Sequence, residues 1–252
     1  MDKINILNIN VLAITEDALL EQFNEGVLFT PNLDHLVRLQ QDKEFYLDYK
    51  EADWVVCDSR ILQLCSRIMG KGFPEAVPGS GFFHAFCDYH KDNATCKIFL
   101  LGSKGTTANM AMEKVNQRLG KTLVVDALSP SMGFDDKEFE CQEIVARINH
   151  SGANVVVVGV GSPKQEKWIM KWKSRMPNVK TWMALGATID FEAGVSNRPP
   201  LIWRRLCMEW LYRFLHEPKR LFHRYFIDDM KFFWYFGKQL LGIYKDPFIG
   251  TR

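Results

Sequence analysis

Apolar positions along the chain follow two rhythms. Short apolar runs rich in β-branched residues alternate with stretches whose apolar positions recur at helical spacing. The runs at residues 4–13 (interrupted by Asn8 and Asn10), 26–30, 54–58, 97–102, 123–127, 154–158 and 181–186 predict strands. The intervening stretches predict helices at 16–24 behind a Thr15 cap, at 33–49, and from Ser59 through Met69. Further helices are predicted at 82–89, 106–119, 136–150 and 166–175. Residues 70–81 form a loop punctuated by Pro74, Pro78, Gly79 and Gly81, and 129–133 form a polar turn. Regular strand–helix alternation implies an α/β fold, a Rossmann-like parallel sheet with helices on both faces.

The pattern changes after Pro199-Pro200. Residues 201–243 carry no strand signal and read as helices broken near Pro218, rich in Arg, Lys, Trp, Tyr and Phe. The expected organisation is a catalytic domain over 1–198 and a basic, aromatic-rich helical appendage over 199–252. On a continuous helix opened by Pro218, Arg220, Arg224 and Lys231 share one face. Aromatic bulk beside such a stripe suits either packing on the core or a helix lying in an anionic membrane surface.

The most informative stretch is Asn154-Val-Val-Val-Val-Gly-Val-Gly-Ser-Pro-Lys-Gln-Glu-Lys-Trp168. A strand buried on both faces ends at Gly159 and Gly161, where the backbone can turn tightly or approach a ligand. Ser162 can cap a helix whose first turn holds Pro163, Gln165 and Glu166. Ligands of doubly wound sheets bind at this carboxyl edge. A dinucleotide fingerprint is incomplete, because Lys164 or Gln165 stands where its third glycine belongs. No acidic residue falls in 179–183, where a ribose would need one.

Composition narrows the classes. Net charge is +2, with 47% hydrophobic and 25% charged residues, an ordinary globular balance that makes no call for nucleic acid. The six cysteines lack Cys-x-x-Cys spacing and read as reduced. The first residues have no signal-peptide pattern, and no apolar run approaches the roughly 18 residues of a spanning helix. A cytoplasmic protein is expected, peripheral on the inner face of the cell membrane.

Polar residues just beyond strand ends are the candidates for chemistry: Thr30, Asn32, Asp58, Gly102, Ser103, Gln165, Glu166 and Asp190. On parallel strands they collect at one edge. Asp58 is placed either as a general base in partly apolar surroundings or as a cap for the helix from Ser59. Thr30 can equally be a solvated strand end, and Asn32 can merely cap the helix from Leu33. His35 and His84 lack a partner at metal spacing, and no Asp-x-Asp occurs, so no metal and no cofactor are expected.

Several stretches carry a family pattern in order. They are Thr30-Pro-Asn-Leu-Asp-His, Ala52-Asp-Trp-Val-Val-Cys-Asp58, Val77-Pro-Gly-Ser-Gly81, Phe99-Leu-Leu-Gly102 and Val158-Gly-Val-Gly-Ser-Pro-Lys-Gln-Glu166. Then come Gly186-Ala-Thr-Ile-Asp-Phe191 and Glu209-Trp-Leu-Tyr-Arg-Phe-Leu-His-Glu-Pro-Lys-Arg220. Together they resemble the WecG/TagA/CpsF family of bacterial glycosyltransferases over nearly the whole chain. The resemblance implies an inverting, metal-independent transfer from a UDP-sugar donor to a polyprenyl-diphosphate-linked sugar acceptor (undecaprenyl in bacteria). The sugar would be N-acetylmannosamine-like, its uronic acid or another hexose. The product would serve teichoic acid, common antigen, capsule or exopolysaccharide.

It further implies Asp58 as catalytic base, with Thr30 and Gln165 lining the pocket. Asn32, Gly79, Gly102, Gly159, Gly161, Ser162, Glu166 and Asp190 would contact substrate, and Arg213, Arg220 and Arg224 would neutralise the diphosphate. A homo-oligomer is compatible with it. Two positions depart from the pattern: Ser59-Arg60 follows Asp58 where the family often has Gly, and Gly81 stands where it often has Asp. The competing classes are a Rossmann-type oxidoreductase and a nucleic-acid-binding protein using the basic tail.

Overall fold

The computed structural model describes residues 1–196, 203, 209–216 and 218–249. Its centre is a six-stranded, wholly parallel sheet. The strands are β3 (Gly26–Phe29), β4 (Trp54–Val55), β5 (Ile98–Gly102), β6 (Val124–Leu128), β7 (Val155–Gly159) and β8 (Thr181–Ala184), in the order β4-β3-β8-β7-β5-β6. β5 is buried along its whole length and β7 along all but its last residue, which is why they read as unbroken apolar runs.

Alternate residues of each strand feed two cores. One face carries Phe29, Phe99, Val156, Val158 and Trp182 and is covered by α2 (Leu33–Arg38), α3 (Lys43–Glu51), α7 (Glu138–Ser151) and α8 (Lys164–Trp172). The other carries Leu28, Leu100, Val155, Val157 and Met183 under α1 (Glu16–Gln22), α5 (Gly79–Tyr89), α6 (Thr107–Leu119) and α9 (Thr188–Glu192). α4 (Arg60–Ile68) contributes Leu62 and Cys65 to the first core. The chain therefore leaves β5 toward one face and neighbouring β7 toward the other. That divergence opens a crevice at the carboxyl ends of the strands.

The structure corrects four readings. Residues 4–13 are not a strand of the main sheet but an antiparallel hairpin, β1 (Lys3–Ile6) with β2 (Ile9–Leu12). Leu7 adopts a left-handed φ of 53°, and Asn8 is buried in the turn, donating to Leu39 O at 2.7 Å. The helix predicted over 33–49 is two helices, because Asp42 caps a new one by accepting from Phe45 N at 3.0 Å. Ser162 does not cap α8: Pro163 occupies the cap position, with no side-chain capping bond. The fourth concerns the arginine stripe. A π-helical turn at Arg224–Asp228 separates α11 (Pro218–His223) from α12 (Met230–Leu240), so the uniform step that aligned Arg224 with Lys231 is broken.

Among the described carboxyl-terminal residues, α10 spans Glu209–His216. Phe232 and Phe236 of α12 enter the first core, and Gln239 Oε1 accepts from Leu7 N at 2.9 Å. Beyond α12, the Tyr244 hydroxyl donates to Gln40 Oε1 at 2.6 Å, and Tyr46 donates to Asp246 at 3.1 Å. Among the described residues, no helix is long and apolar enough to cross a membrane.

Candidate active site

The parallel sheet brings the loops after β3, β4, β5, β7 and β8 to one edge. Thr30, 7% exposed, directly follows β3. The β4 ladder stops at Val55, and Asp58 lies beyond it, its N–H donating to Pro31 O at 3.4 Å. Gly79 opens α5, earlier than the apolar pattern suggested, and its N–H donates to Asp58 Oδ1 at 3.0 Å. A β-carbon at Gly79 would lie 3.4 Å from Thr30 Oγ1 and 3.0 Å from a Leu185 methyl. Asp58, Thr30 and Gly79 thus meet at one point, where the α5 N-terminus favours a negative charge on Asp58. Ser59 occupies the cap position of α4 without a capping bond. Asn32 caps α2, its Oδ1 accepting from His35 N at 3.3 Å.

A second group sits under the turns after β7 and β8. Gln165 Oε1 accepts from Gly161 N at 3.3 Å and from Gly186 N at 3.1 Å. Gln165 Nε2 donates to Glu166 Oε1 at 2.8 Å. Both side chains are buried, 2% and 0% exposed, beneath the rim rather than on it. Burial pushes the Glu166 carboxyl up to about 7, against weaker lowering by Gln165 and Ser162. The Ser162 hydroxyl is close enough to have that effect but makes no hydrogen bond of good geometry, and Glu166 Oε2 makes none either.

The glycines have a physical reason independent of ligand. A β-carbon on Gly102 (φ 154°) would fall 2.3 Å from Gly159 O, and one on Gly159 would fall 2.5 Å from Gly186 O. Three loop backbones therefore touch in series. Ser103, at φ 60°, donates its hydroxyl to Asp190 Oδ1 at 2.5 Å and joins the β5 turn to α9.

Sequence reasoning passed over a buried polar cluster behind Thr30. Arg38 Nε lies 3.1 Å from both oxygens of Asp34, and Arg224 Nη2 lies 3.7 Å from Asp34 Oδ2. Burial lowers the His35 imidazole to about 3, and its Nδ1 pairs with the Tyr49 hydroxyl at 2.7 Å. The Tyr49 phenol is raised by burial and then by Glu166, Asp58 and Asp34. Burial raises Asp229 to about 6, partly offset by Arg224. The signal available was Leu-Asp-His following Thr30-Pro-Asn. Arg213 falls on α10 and Arg220 on α11, and their side chains lie outside the described residues.

An open cavity of about 570 Å³ lies at the other end of the strands, lined by Asn24, Glu25, Gly26, Asp53, Trp54 and Lys180. It holds none of the predicted residues. Among the described residues, no three His, Cys, Asp or Glu side chains gather as metal ligands.

Residues 4–246 match the glycosyl transferase WecG/TagA/CpsF family. The chain belongs to this family. It is a glycosyltransferase, of a family that acts in cell-surface polysaccharide synthesis. That membership displaces the oxidoreductase and nucleic-acid readings. The motif-like stretches ending at Asp58, Gly81, Gly102 and Glu166, with those starting at Thr30 and Gly186, all converge on the carboxyl edge of the sheet.

Proposed function

We propose that the protein transfers a hexose-type sugar, N-acetylmannosamine-like or a relative, from a UDP donor to a polyprenyl-diphosphate-linked sugar, with inversion. Asp58 accepts the proton of the acceptor hydroxyl as that oxygen attacks the anomeric carbon opposite UDP. The C–O bond to UDP breaks as the new glycosidic bond forms, and UDP leaves as an anion. Its charge is met by N–H groups of the edge and by cationic side chains, with Arg224 a candidate and Arg213 and Arg220 assigned by family pattern. Thr30 and Gln165 shape the pocket, the latter by holding its turns. Asn32, Gly79, Gly102, Gly159, Gly161, Ser162, Glu166 and Asp190 complete the walls or their support.

The observation that carries this reading is the carboxylate of Asp58, fixed by Gly79 N–H at 3.0 Å beside Thr30 at the carboxyl edge. An exposed apolar strip, Phe222, Phe226, Ile227, Met230, Phe233 and Trp234, supports contact with an anionic membrane surface, where a lipid-linked acceptor resides. In this reading the catalytic unit is 1–198, with 199–252 as the membrane-facing appendage.

The test is a panel of radiolabelled UDP-sugars with a short-chain prenyl-diphosphate-linked sugar. Label moving to the lipid from one donor supports the reading. Folded protein that transfers from none of them overturns it.

A further inference from the structure

Gln165 closes a clip between two turns. Its Oε1 accepts from Gly161 N and Gly186 N, and its Nε2 donates to Glu166 Oε1 at 2.8 Å. The flipped amide would set two hydrogen donors against Nε2 and a carboxyl oxygen against Oε1, so one orientation satisfies all three bonds.

An amide at position 166 could accept the same bond. A carboxyl there is costlier, because Glu166 is fully buried and its Oε2 has no hydrogen-bond partner. The groups facing it do not neutralise it. Asp48 and Tyr49 face it from α3, Ser162 from the β7–α8 turn and Gln165 from its own helix. Lys167 of its own helix is engaged by Asp42 and Glu44. What a carboxyl offers that an amide lacks is an exchangeable proton. An ionised acceptor also makes a stronger bond to an N–H than a neutral one does.

We propose that Glu166 is a positioning residue whose gain and loss of a proton sets how firmly Gln165 clips the Gly161 and Gly186 turns together at the rim of the site. The raised carboxyl places that exchange near neutral pH. Its bearing on catalysis rests on the glycosyl-transfer reading, whereas the clip itself does not.

The test uses the full chain with Glu166→Gln and Glu166→Leu. Native-state hydrogen exchange is read at Gly161 and Gly186 between pH 6 and 8, corrected for intrinsic rates. In the parent, protection of both glycines against local opening that leaves Glu166 buried should rise with pH. In Glu166→Gln it should be flat, and in Glu166→Leu it should fall about tenfold or more, the size of a lost hydrogen bond. A parent and Glu166→Gln that follow one pH course overturn the proposal, as does full protection in Glu166→Leu. A second arm follows KM for the UDP-sugar that the parent uses, which should decrease from pH 6 to 8 in the parent and lose that trend in Glu166→Gln. If the parent transfers no sugar, the proposed reaction fails while the exchange arm still decides the clip.

Discussion

Gly79 holds Asp58: the first N–H of α5 points at Oδ1 over 3.0 Å, tying a loop after β4 to a helix on the opposite side of the Thr30 loop. An amide oxygen can accept the same bond, so Asp58→Asn keeps this tie and loses only the capacity to take a proton. We expect transfer to fall by roughly 10²–10⁴-fold with UDP affinity little changed. Calorimetry with UDP and a transfer assay check this. Near-parental turnover would remove Asp58 as the base.

The contact of three loop backbones predicts that Gly159→Ala destabilises by about 1–3 kcal/mol, since its methyl must displace Gly186 O or Ile189. Gly161→Ala meets no atom within 4 Å and suffers only from its φ of 90°. Urea unfolding of the two variants should rank Gly159→Ala as the more damaging. The reverse order would mean that the series of contacts is not what these glycines serve.

Glu166 gives a pH dependence with a defined sign. Its carboxyl is held at about 7 when folded against its ordinary 4.5, so the folded chain binds the extra proton between those pH values. Stability is therefore lost as pH rises through that window, by about 3 kcal/mol at most. Glu166→Gln lacks this loss. The melting temperature of the variant minus that of the parent should climb from pH 4.5 to 7 and then level off. A constant difference would show that Glu166 does not titrate there. His35, lowered to about 3, acts in the opposite sense, because stability is lost as pH falls below its ordinary value.

The exposed strip on α11, the π turn and α12 predicts membrane contact. Phe226→Asp with Trp234→Asp should reduce flotation with anionic liposomes about tenfold while leaving the melting temperature close to the parent's, because both rings are substantially exposed. Arg224→Glu should impair transfer more than flotation. Equal flotation of parent and the double variant would confine the strip to packing.

Activity in excess EDTA is expected, because the sequence has no Asp-x-Asp and the proposed mechanism stabilises the leaving group with N–H groups and arginines. Activity lost with chelator and restored by Mg²⁺ or Mn²⁺ would contradict this.

The parallel sheet was legible because β5 and β7 are dry on both faces, and such strands leave unbroken apolar runs in sequence. The opening hairpin was not, since its break is a left-handed Leu7, a residue type that gives no turn signal. The convergence of Thr30, Asp58, Gly102 and Gln165 at one edge followed from strand parallelism alone. The burial of Gln165 and Glu166 did not, because polar residues in a first helical turn carry no mark of the tertiary contacts that cover them. The sequence leaves Gly159 open between a tight turn and approach to a ligand, and the contact visible in the structure, at Gly102 and Gly159 alike, is with neighbouring backbone. Arg224 was read as one of a stripe, and only long-range packing could reveal Asp34 as its neighbour.

The bond from Leu7 N to Gln239 joins residues 232 positions apart, and Tyr244 reaches back to Gln40. Contacts this distant in sequence close last and slowly. During synthesis, the face of α2 and the hairpin turn stay uncovered until α12 and Tyr244 have been made. A chain lacking α12 would lose Phe232 and Phe236 from the first core and leave Leu7 N without its Gln239 partner. That helix thus works as a clasp on one flank of the sheet, and its loss would show first as stickiness of the face it covers while the wet edge across the sheet keeps its shape.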